Sequence, residues 1–343
     1  MSFASRRIRP IGLVAVAALA AVVLMAPTAP DTAAVADQDP ASPAPIAGFV
    51  RSPDGDYRTI AFPGAATFTI AFGINNRGQV AGYYDDETGR THGFVRGRSG
   101  HYRTIDFPGA YATAATRIND RGQIIGDYFT TKKRFNQGLK RGFLLDHGRF
   151  TRINVPGSDS TEAVGLDDHG RVVGETLTLK PLDGSGYLWN DGRIRRIDAP
   201  RAAFTGAEEI NERGQIVGTY SKNLTSGPTR GYLLKRARFT MFAVPGGPIT
   251  QVFGLNNRGQ VAGYTAADPM LNDAHGFLLA RVPNGQVTRI DVPDAARTLA
   301  LGINDRGKIV GAYERTTTAP GMQRALESQP ELGSLLLGFA DKS

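Results

Sequence analysis

Short apolar runs bounded by glycine, proline or asparagine follow one another along the chain from about residue 46. Gln79 to Tyr83 and His92 to Val95 are two such runs, and polar residues separate them. Amphipathic stretches of about ten residues, which helices need, are absent from this region. The pattern predicts short β-strands joined by tight turns, and therefore an all-β fold.

One segment, of which Gly73 to Tyr84 is the first copy, occurs six times. Its copies are spaced by 44, 48, 44, 45 and 48 residues and begin at Gly73, Arg117, Gly165, Glu209, Gly254 and Gly302. A period of about 40–45 residues is typical of a four-stranded propeller blade. We therefore predict a six-bladed β-propeller built from six repeats of about 45 residues.

Each repeat contains two predicted hairpins. In the first copy, Asn76 to Gly78 forms a turn between two apolar strands, and a second hairpin joins His92 to Val95 with Tyr102 to Phe107. The second strand of every copy has an interior glycine, which usually marks a close approach of another backbone. These glycines therefore mark either a bulge or such an approach: Gly82, Gly126, Gly174, Gly218, Gly263 and Gly311. Because neighbouring blades crowd most near a propeller axis, we predict that this strand or its partner forms the inner part of each blade.

The chain has one Gly-Phe strand more than six blades need. Gly48-Phe49 and residues 57–62 precede the first copy, whereas Gly338-Phe339 follows the last. A ring closed by terminal strands hides edges that invite aggregation. We predict that residues 335–339 pair into the blade completed by residues 57–62, which leaves residues 46–50 marginal or on an outer edge. We also predict a short helix around residues 323–328.

The N-terminus has the pattern of a secretion signal. Three arginines precede an apolar run from Ile11 to Met25, and Ala34 to Ala36 supplies small residues for cleavage. The predicted divisions are a signal peptide (residues 1–36), a Pro/Ala-rich leader (37–45) and a propeller domain (46–341). An uncleaved anchor is the alternative, although a run of about 15 residues is short for roughly 30 Å of hydrocarbon. We expect a secreted or envelope-associated protein with no transmembrane segment after cleavage.

The charge of the chain bears on its possible partners, and its cysteine content bears on how the fold is held together. The formal charge of +8 becomes +6 without residues 1–36, because they carry three Arg and one Asp. This modest excess favours solubility, with attraction to an anionic envelope polymer as the alternative. The chain has no cysteine, so a large core must hold the fold and thiolate metal sites are excluded. We expect a monomer.

Several submotifs recur in a fixed order: Gly-Ile-Asn-Asp-Arg-Gly type turns, Gly186 to Trp189, and Ile290 to Pro293. In this combination the chain resembles the extracellular HAF repeat family over residues 46–341. It departs from the naming motif where Gly93 and Gly276 replace the usual alanine. The resemblance implies export and a repeated β architecture, and it implies no established activity.

One turn position is mostly basic: Arg77, Arg121, His169, Arg213, Arg258 and Arg306. Equivalent turns of a propeller lie on one face, so this set forms either a basic ring that binds phosphates or carboxylates, or ordinary solvated turn residues.

The position after the strand glycine breaks the repeat pattern. It reads Tyr83, Asp127, Glu175, Thr219, Tyr264 and Ala312. If these side chains point to the central channel, aromatic rings and carboxylates meet there and suit a sugar or a hard cation; otherwise they are outward strand ends. Asp127 and Glu175 are the pair we nominate for acid and base chemistry. Arg117 and Glu209, with Glu162 and Glu208 nearby, either extend this site or pair as surface charges.

Remaining chemistry is sparse. Lys132, Lys133, Arg134, Lys140 and Arg141 crowd an insertion in the second repeat with Phe129 and Phe135, and we interpret it as a solvated loop rather than a nucleic-acid site. The five histidines lack metal-ligand spacing. We predict no cofactor, with Ca²⁺ at the carboxylates as the alternative.

Three functional hypotheses follow. The first is a secreted binding module, without catalysis, for envelope carbohydrate or protein partners. The second is a polysaccharide hydrolase or lyase that uses carboxylates at one mouth of the propeller. The third is a structural scaffold with no small ligand.

Overall fold

The computed structural model describes residues 45–223, 227–268, 271 and 273–315. Twenty-four strands and one short helix occur there, which confirms the all-β prediction. The first strands of the repeats are β3 (Thr69–Ile74), β7 (Ala112–Ile118), β11 (Ser160–Leu166), β15 (Phe204–Ile210), β19 (Ile249–Leu255) and β23 (Ala295–Ile303). The second strands are β4 (Val80–Asp85), β8 (Ile124–Phe129), β12 (Val172–Leu179), β16 (Ile216–Ser221), β20 (Val261–Ala266) and β24 (Ile309–Arg315).

The second hairpin of each unit supplies its third and fourth strands. The third strands are β1 (Ile46–Arg51), β5 (Thr91–Arg96), β9 (Arg141–Asp146), β13 (Leu182–Asn190), β17 (Thr229–Lys235) and β21 (His275–Leu279). The fourth strands are β2 (Tyr57–Ile60), β6 (Tyr102–Ile105), β10 (Arg149–Ile153), β14 (Arg193–Ile197), β18 (Arg238–Phe242) and β22 (Val287–Ile290). Both predicted hairpins of each repeat are therefore confirmed.

The strands pair as antiparallel units of four, in the order first, second, third, fourth. Single parallel bridges, Gly184 to Phe204 and Thr229 to Ile249, join three of these units into one twelve-stranded sheet. Another parallel bridge joins Ile46 of β1 to Phe68, which precedes the first repeat. Each of these bridges joins the third strand of one unit to the first strand of the next, or to the residue just before it.

The prediction for residues 46–50 is wrong. Strand β1 is not an outer edge: it pairs with β24 on one side, where Phe49 faces Gly311, and with β2 on the other. Ala47 and Phe49 are buried, each 1% exposed. Burial of Phe49 and satisfaction of both edges of β1 favour this arrangement. Residues 323–328 and 335–339 lie outside the described residues, as do the predicted signal peptide and almost all of the leader.

The first-hairpin turns are linked in a cyclic series of hydrogen bonds. The backbone N–H of Asn76 donates to Asp120 Oδ1 at 2.8 Å, and each turn then donates to the equivalent side chain of the next. The last bond returns from Asp305 N–H to Asn76 Oδ1 at 2.8 Å. The intervening members are Asp120 to Asp168, Asp168 to Glu212, Glu212 to Asn257 and Asn257 to Asp305. The sixth turn therefore meets the first.

The strand glycines lie at a β-bulge and at a close backbone approach, the two features that an interior glycine predicts. A Cβ on Gly82 would lie 2.0 Å from the carbonyl oxygen of Ile70, in the partner strand of the same hairpin. The other five glycines meet the equivalent carbonyl at 1.8–2.0 Å. A register shift between Ala71 and Gly73 brings this carbonyl forward. The cause is a β-bulge within each repeat and not a neighbouring blade.

The insertion in the second repeat forms helix α1 (Lys132–Asn136), which Thr131 caps by accepting from the N–H of Arg134. Lys132 and Lys133 are exposed, as predicted for a solvated loop. The ring of Phe135 packs edge-on against Phe129 at 5.0 Å, so these aromatic groups stabilise the insertion. No helix within the described ranges is long and apolar enough to cross a membrane.

Candidate functional site

The first hairpins of the six repeats pack against one another. They bury side chains from alternate residues of their strands. In the first, fifth and sixth repeats these side chains form an apolar cluster that includes Phe72, Tyr83, Phe253 and Tyr264. The rings of Phe72 and Phe253 meet edge-on at 5.7 Å although they come from the first and fifth repeats. In the second, third and fourth repeats, charged residues occupy some of the equivalent positions.

An ion pair lies where the repeats meet. Arg117 and Glu209 occupy the position that is glycine in the other four copies, and they are 4% and 8% exposed. Their side chains pair at 2.5 Å between Nε and Oε2. The interpretation as surface charges is wrong, because the glycines of the other copies leave interior space that these two side chains enter.

Arg117 also ties several repeats together. Its guanidinium donates to the carbonyl oxygens of Phe72, Thr116, Phe253 and Leu301. These residues belong to the first, second, fifth and sixth repeats, while Glu209 belongs to the fourth. One side chain therefore satisfies carbonyls that burial would otherwise leave without donors.

A second charged group lies farther from the turns. We define the central acidic cluster as Asp127, Glu162, Glu175 and Glu208 together with Lys140. Lys140 Nζ lies 2.5 Å from Glu162 Oε2 and 4.0 Å from Asp127 Oδ2. Asp127 Oδ1 also accepts from the N–H of Ala163 in the next repeat. Lys140 is 7% exposed, so its predicted place in a solvated loop is wrong.

Glu175 and Glu208 form the other half of the central acidic cluster. Glu175 Oε2 and Glu208 Oε1 each lie 2.6 Å from the point that a Cβ on Gly206 would occupy. The two carboxylates therefore occupy the space that a side chain at residue 206 would need. Within the described part of the chain, neither carboxylate accepts a hydrogen bond or forms an ion pair. Glu175 keeps partial solvent exposure, whereas Glu208 is 5% exposed.

Burial and like charge raise the pKa values of these carboxyl groups. Desolvation, followed by the charge of Glu162 against that of Lys140, raises the pKa of Asp127 to about 8. The same causes raise the pKa of Glu208 to about 8 and that of Glu175 well above its ordinary value. Burial alone lowers the pKa of Lys140, but Glu162 and Asp127 more than reverse this effect. Carboxyl groups of the cluster are therefore protonated near neutral pH.

Two buried polar atoms near the cluster lack hydrogen-bond partners: Glu162 Oε1 and the hydroxyl of Tyr264. Tyr264 is 0% exposed, and burial and the nearby charge of Glu208 raise its pKa. A buried hydroxyl without a partner is unfavourable by about 1–3 kcal/mol. These atoms are therefore available to a bound group.

Of the six residues predicted from the variable strand position, five are buried and Glu175 is partly exposed, and they divide between two environments. Tyr83, Tyr264 and Ala312 belong to the apolar cluster, whereas Asp127 and Glu175 belong to the acidic one. Thr219 accepts a hydrogen bond from the N–H of Val252 at 3.3 Å. The alternative of outward strand ends is wrong, because the bulged hairpin turns this position inward. Their role in ligand binding stays a prediction.

Sequence reasoning missed Lys140 as a member of the site. In the repeat alignment Lys140 matches Thr91, Thr229 and Ala274, which are all buried. Glu162 likewise matches Ile70 and pairs opposite Glu175 in its hairpin. The signal was a charged residue at a repeat position that is otherwise apolar or small.

The basic turn residues are exposed at the opposite end of the first hairpins, at Arg77, Arg121, His169, Arg213, Arg258 and Arg306. The preceding residues supply the cyclic hydrogen bonds and include four carboxylates, at Asp120, Asp168, Glu212 and Asp305. The turns therefore mix both charge signs and do not form a purely basic surface.

Asp167, His169 and Glu212 also come together at these turns, with ligand atoms within 4.8 Å of one another. However, Asp167 Oδ2 pairs with Arg171 at 2.5 Å, and Asp167 Oδ1 accepts from two backbone N–H groups. This pair replaces the Asn-Gln pair of other repeats, such as Asn75 with Gln79. Asp167 is therefore already satisfied, and we assign no metal to this group.

No family model and no curated protein sequence matches the chain. Several solved structures are similar to it. Putative TolB from Agrobacterium tumefaciens is similar with a TM-score of 0.56 and 10% identity, covering 79% of this chain and 99% of that one. TolB from Acinetobacter baumannii gives a TM-score of 0.49 at 14% identity, covering 71% of this chain and 64% of that one.

The β-propeller domain of the Trilobed protease from Pyrococcus furiosus, with an open velcro topology, gives a TM-score of 0.47 at 12% identity. The match covers 82% of this chain and 91% of that domain. The chain spans 64% of the length of the Acinetobacter protein. At these identities the likeness concerns the fold alone.

Proposed function

We propose that the chain is an exported, non-catalytic binding module that takes a carbohydrate of the cell envelope at the central acidic cluster. In this proposal the six four-stranded units are the blades of a closed propeller, with β1 and β2 completing the last blade. The cyclic hydrogen bonds between the turns support closure, because the bond from Asp305 to Asn76 repeats the geometry of the other five.

The observation that carries the binding role is an excess of buried acidic groups over basic ones. Four carboxyl groups surround a single ammonium group, Lys140, and two of them have no partner among the described residues. Buried ionisable groups without partners destabilise a fold, and clusters with strongly shifted pKa values concentrate at functional sites. A stabilising core would use apolar side chains here, as the first, fifth and sixth repeats do.

The chemistry of the site favours a polyhydroxylated ligand. Carboxylates accept hydrogen bonds from hydroxyl groups, and the rings of Tyr83 and Tyr264 provide apolar faces beside them. Glu175 is partly exposed and offers a route by which solvent reaches the cluster. Export to the envelope rests on the sequence pattern of residues 1–36 and on the propeller fold.

The test is a glycan-array and envelope-polysaccharide binding screen of residues 37–343. Binding should be weakened at least about tenfold by Glu175→Gln or Asp127→Asn and also by Tyr264→Ala. The matched control is Glu212→Gln at the opposite end of the hairpins, which keeps its hydrogen-bond acceptor and should bind as the unchanged protein does. Binding that survives all three site variants rejects this site; no binding to any glycan favours the scaffold hypothesis.

The pKa of Asp127 also favours one alternative, the hydrolase or lyase. A carboxyl group with a pKa of about 8 is protonated at neutral pH and suits a general acid. The discriminating assay measures new reducing ends after incubation with any polysaccharide that binds. Chain cleavage that Asp127→Asn abolishes, while binding is retained, would replace the binding-module proposal with this one.

A further inference from the structure

The two halves of the central acidic cluster are chemically alike but differently filled. In one half, the ammonium group of Lys140 lies against Glu162 at 2.5 Å and near Asp127 at 4.0 Å. In the other half, Glu175 and Glu208 come together at Gly206, and no cation pairs with either carboxylate within the described ranges. The position of Lys140 therefore shows that a pair of these carboxylates accommodates an ammonium group.

We propose that Glu175 and Glu208 bind the ammonium group of an amine-bearing ligand, so that this ligand supplies the cation that Lys140 supplies to the other half. This inference rests on the proposed function, whose ligand class it narrows. The independent observation is the hydroxyl of Tyr264, which is buried without a partner and lies close enough to Glu208 to feel its charge. An ammonium group has three donors, enough for both carboxylates and this hydroxyl oxygen.

A divalent metal ion fits this place less well. Ca²⁺ takes about six to eight oxygen ligands at about 2.3–2.6 Å, which needs a compact set of oxygens. Within the described residues, acidic and histidine ligand atoms approach that closely only at Asp167, His169 and Glu212 near the turns. The central carboxylates lie around Gly206 and Lys140 instead, and the ring of Tyr264 lies near Glu208. Separated carboxylates beside aromatic faces match an organic cation.

Gly206 provides the space in which the carboxylates of Glu175 and Glu208 come together. The equivalent residues are Ile70, Ala114, Glu162, Gln251 and Leu299, so only the fourth repeat lacks a side chain at this level. Both carboxylate oxygens lie 2.6 Å from the missing Cβ. A methyl group there would displace both carboxylates, and Gly206→Ala is therefore a substitution that disrupts the pair without changing its charge.

The experiment is titration calorimetry of residues 37–343 with glucosamine, cadaverine, N-acetylglucosamine and glucose, each at millimolar concentration. The expected result is binding of at least one of the two amines, with the two neutral sugars at least about tenfold weaker. Glucosamine alone indicates an amino-sugar ligand; cadaverine alone indicates a polyamine. Either outcome supports the ammonium site.

Glu175→Gln and Glu208→Gln should each weaken amine binding at least about tenfold, while Glu212→Gln should leave it unchanged. Because both carboxyl groups must ionise to bind a cation, protons should be released, which buffers of different ionisation enthalpy measure. Failure of both amines to bind overturns the inference. Equal binding of N-acetylglucosamine and glucosamine, lost in Glu175→Gln, also overturns it but leaves the proposed carbohydrate site standing.

Discussion

Arg117 Nε and Glu209 Oε2 lie 2.5 Å apart at the centre of the molecule, although 92 residues separate them in sequence. The pair forms because two repeats replace the same glycine with opposite charges, and the other four repeats leave room for both side chains. It also depends on repeats from both ends of the chain, whose carbonyls accept from Arg117.

Arg117→Met should lower the free energy of unfolding by about 3–5 kcal/mol, because it leaves the Glu209 carboxylate buried without its partner. The double variant Arg117→Gly/Glu209→Gly restores the glycine of the other repeats and should lose less than the sum of the two single glycine variants. Urea unfolding of the unchanged protein and of these four variants measures these differences.

The control for the first prediction is Arg121→Met, which changes an exposed turn residue and should shift the unfolding free energy by no more than about 0.5 kcal/mol. If the free-energy losses of the two single glycine variants added up to that of the double variant, this result would contradict the buried ion pair.

Gly82→Ala should destabilise the protein by about 2–4 kcal/mol, because the new Cβ would meet the carbonyl of Ile70 at 2.0 Å and the ring of Phe94 at 2.7 Å. Gly97→Ala is the matched control, since its Cβ would meet nothing closer than 3.6 Å. Thermal unfolding compares the two. Equal melting temperatures would reject the bulge as the reason for this glycine.

The ligand-free protein should lose stability as pH rises from about 5 to about 8. Asp127 and Glu208 have folded-state pKa values of about 8, above their unfolded values, so the folded state binds more protons across this window. The loss should be of the order of a few kcal/mol, because Lys140 and Arg117 favour the charged forms and Glu162 and Glu209 oppose them.

Urea unfolding at several pH values measures this slope, and Asp127→Asn should flatten it. A stability that rises over the same window in both proteins would show that these carboxyl groups keep ordinary pKa values.

A chain that begins at residue 61 should aggregate or fail to fold, whereas a chain that begins at residue 45 should melt like one that begins at residue 37. The shorter chain lacks β1 and β2, so β24 loses its partner and the apolar contacts of Phe49 are lost. Gel filtration and circular dichroism distinguish the outcomes. A monomeric, folded chain from residue 61 would reject closure by the N-terminal strands.

The repeat pattern was sufficient to predict the hairpins, because Gly78 and its equivalents adopt the positive φ values that such turns need. The repeat pattern was not sufficient to predict which terminal strand pairs with β24. Gly48-Phe49 and Gly338-Phe339 carry the same motif, and sequence alone does not say which one pairs with β24. That choice depends on which strand best buries its apolar face, which is a property of the folded chain.

The charged site was predictable only in part. Asp127 and Glu175 stood out because they break a repeated position, but their distance from Lys140 and Glu208 depends on how separate hairpins pack. Lys140 was hidden among neighbouring basic residues that are exposed, such as Lys132 and Lys133. Aligning Lys140 with Thr91 of the first repeat would have identified it as an interior residue.

Carboxyl ¹³C NMR titration of residues 37–343, labelled at Asp and Glu, tests most directly whether three successive repeats bring their carboxyl groups together. Asp127 and Glu208, assigned through Asp127→Asn and Glu208→Gln, should titrate with midpoints of about 8. If both titrate near pH 4 with the surface carboxylates, the central acidic cluster does not form and the binding site proposed there is contradicted.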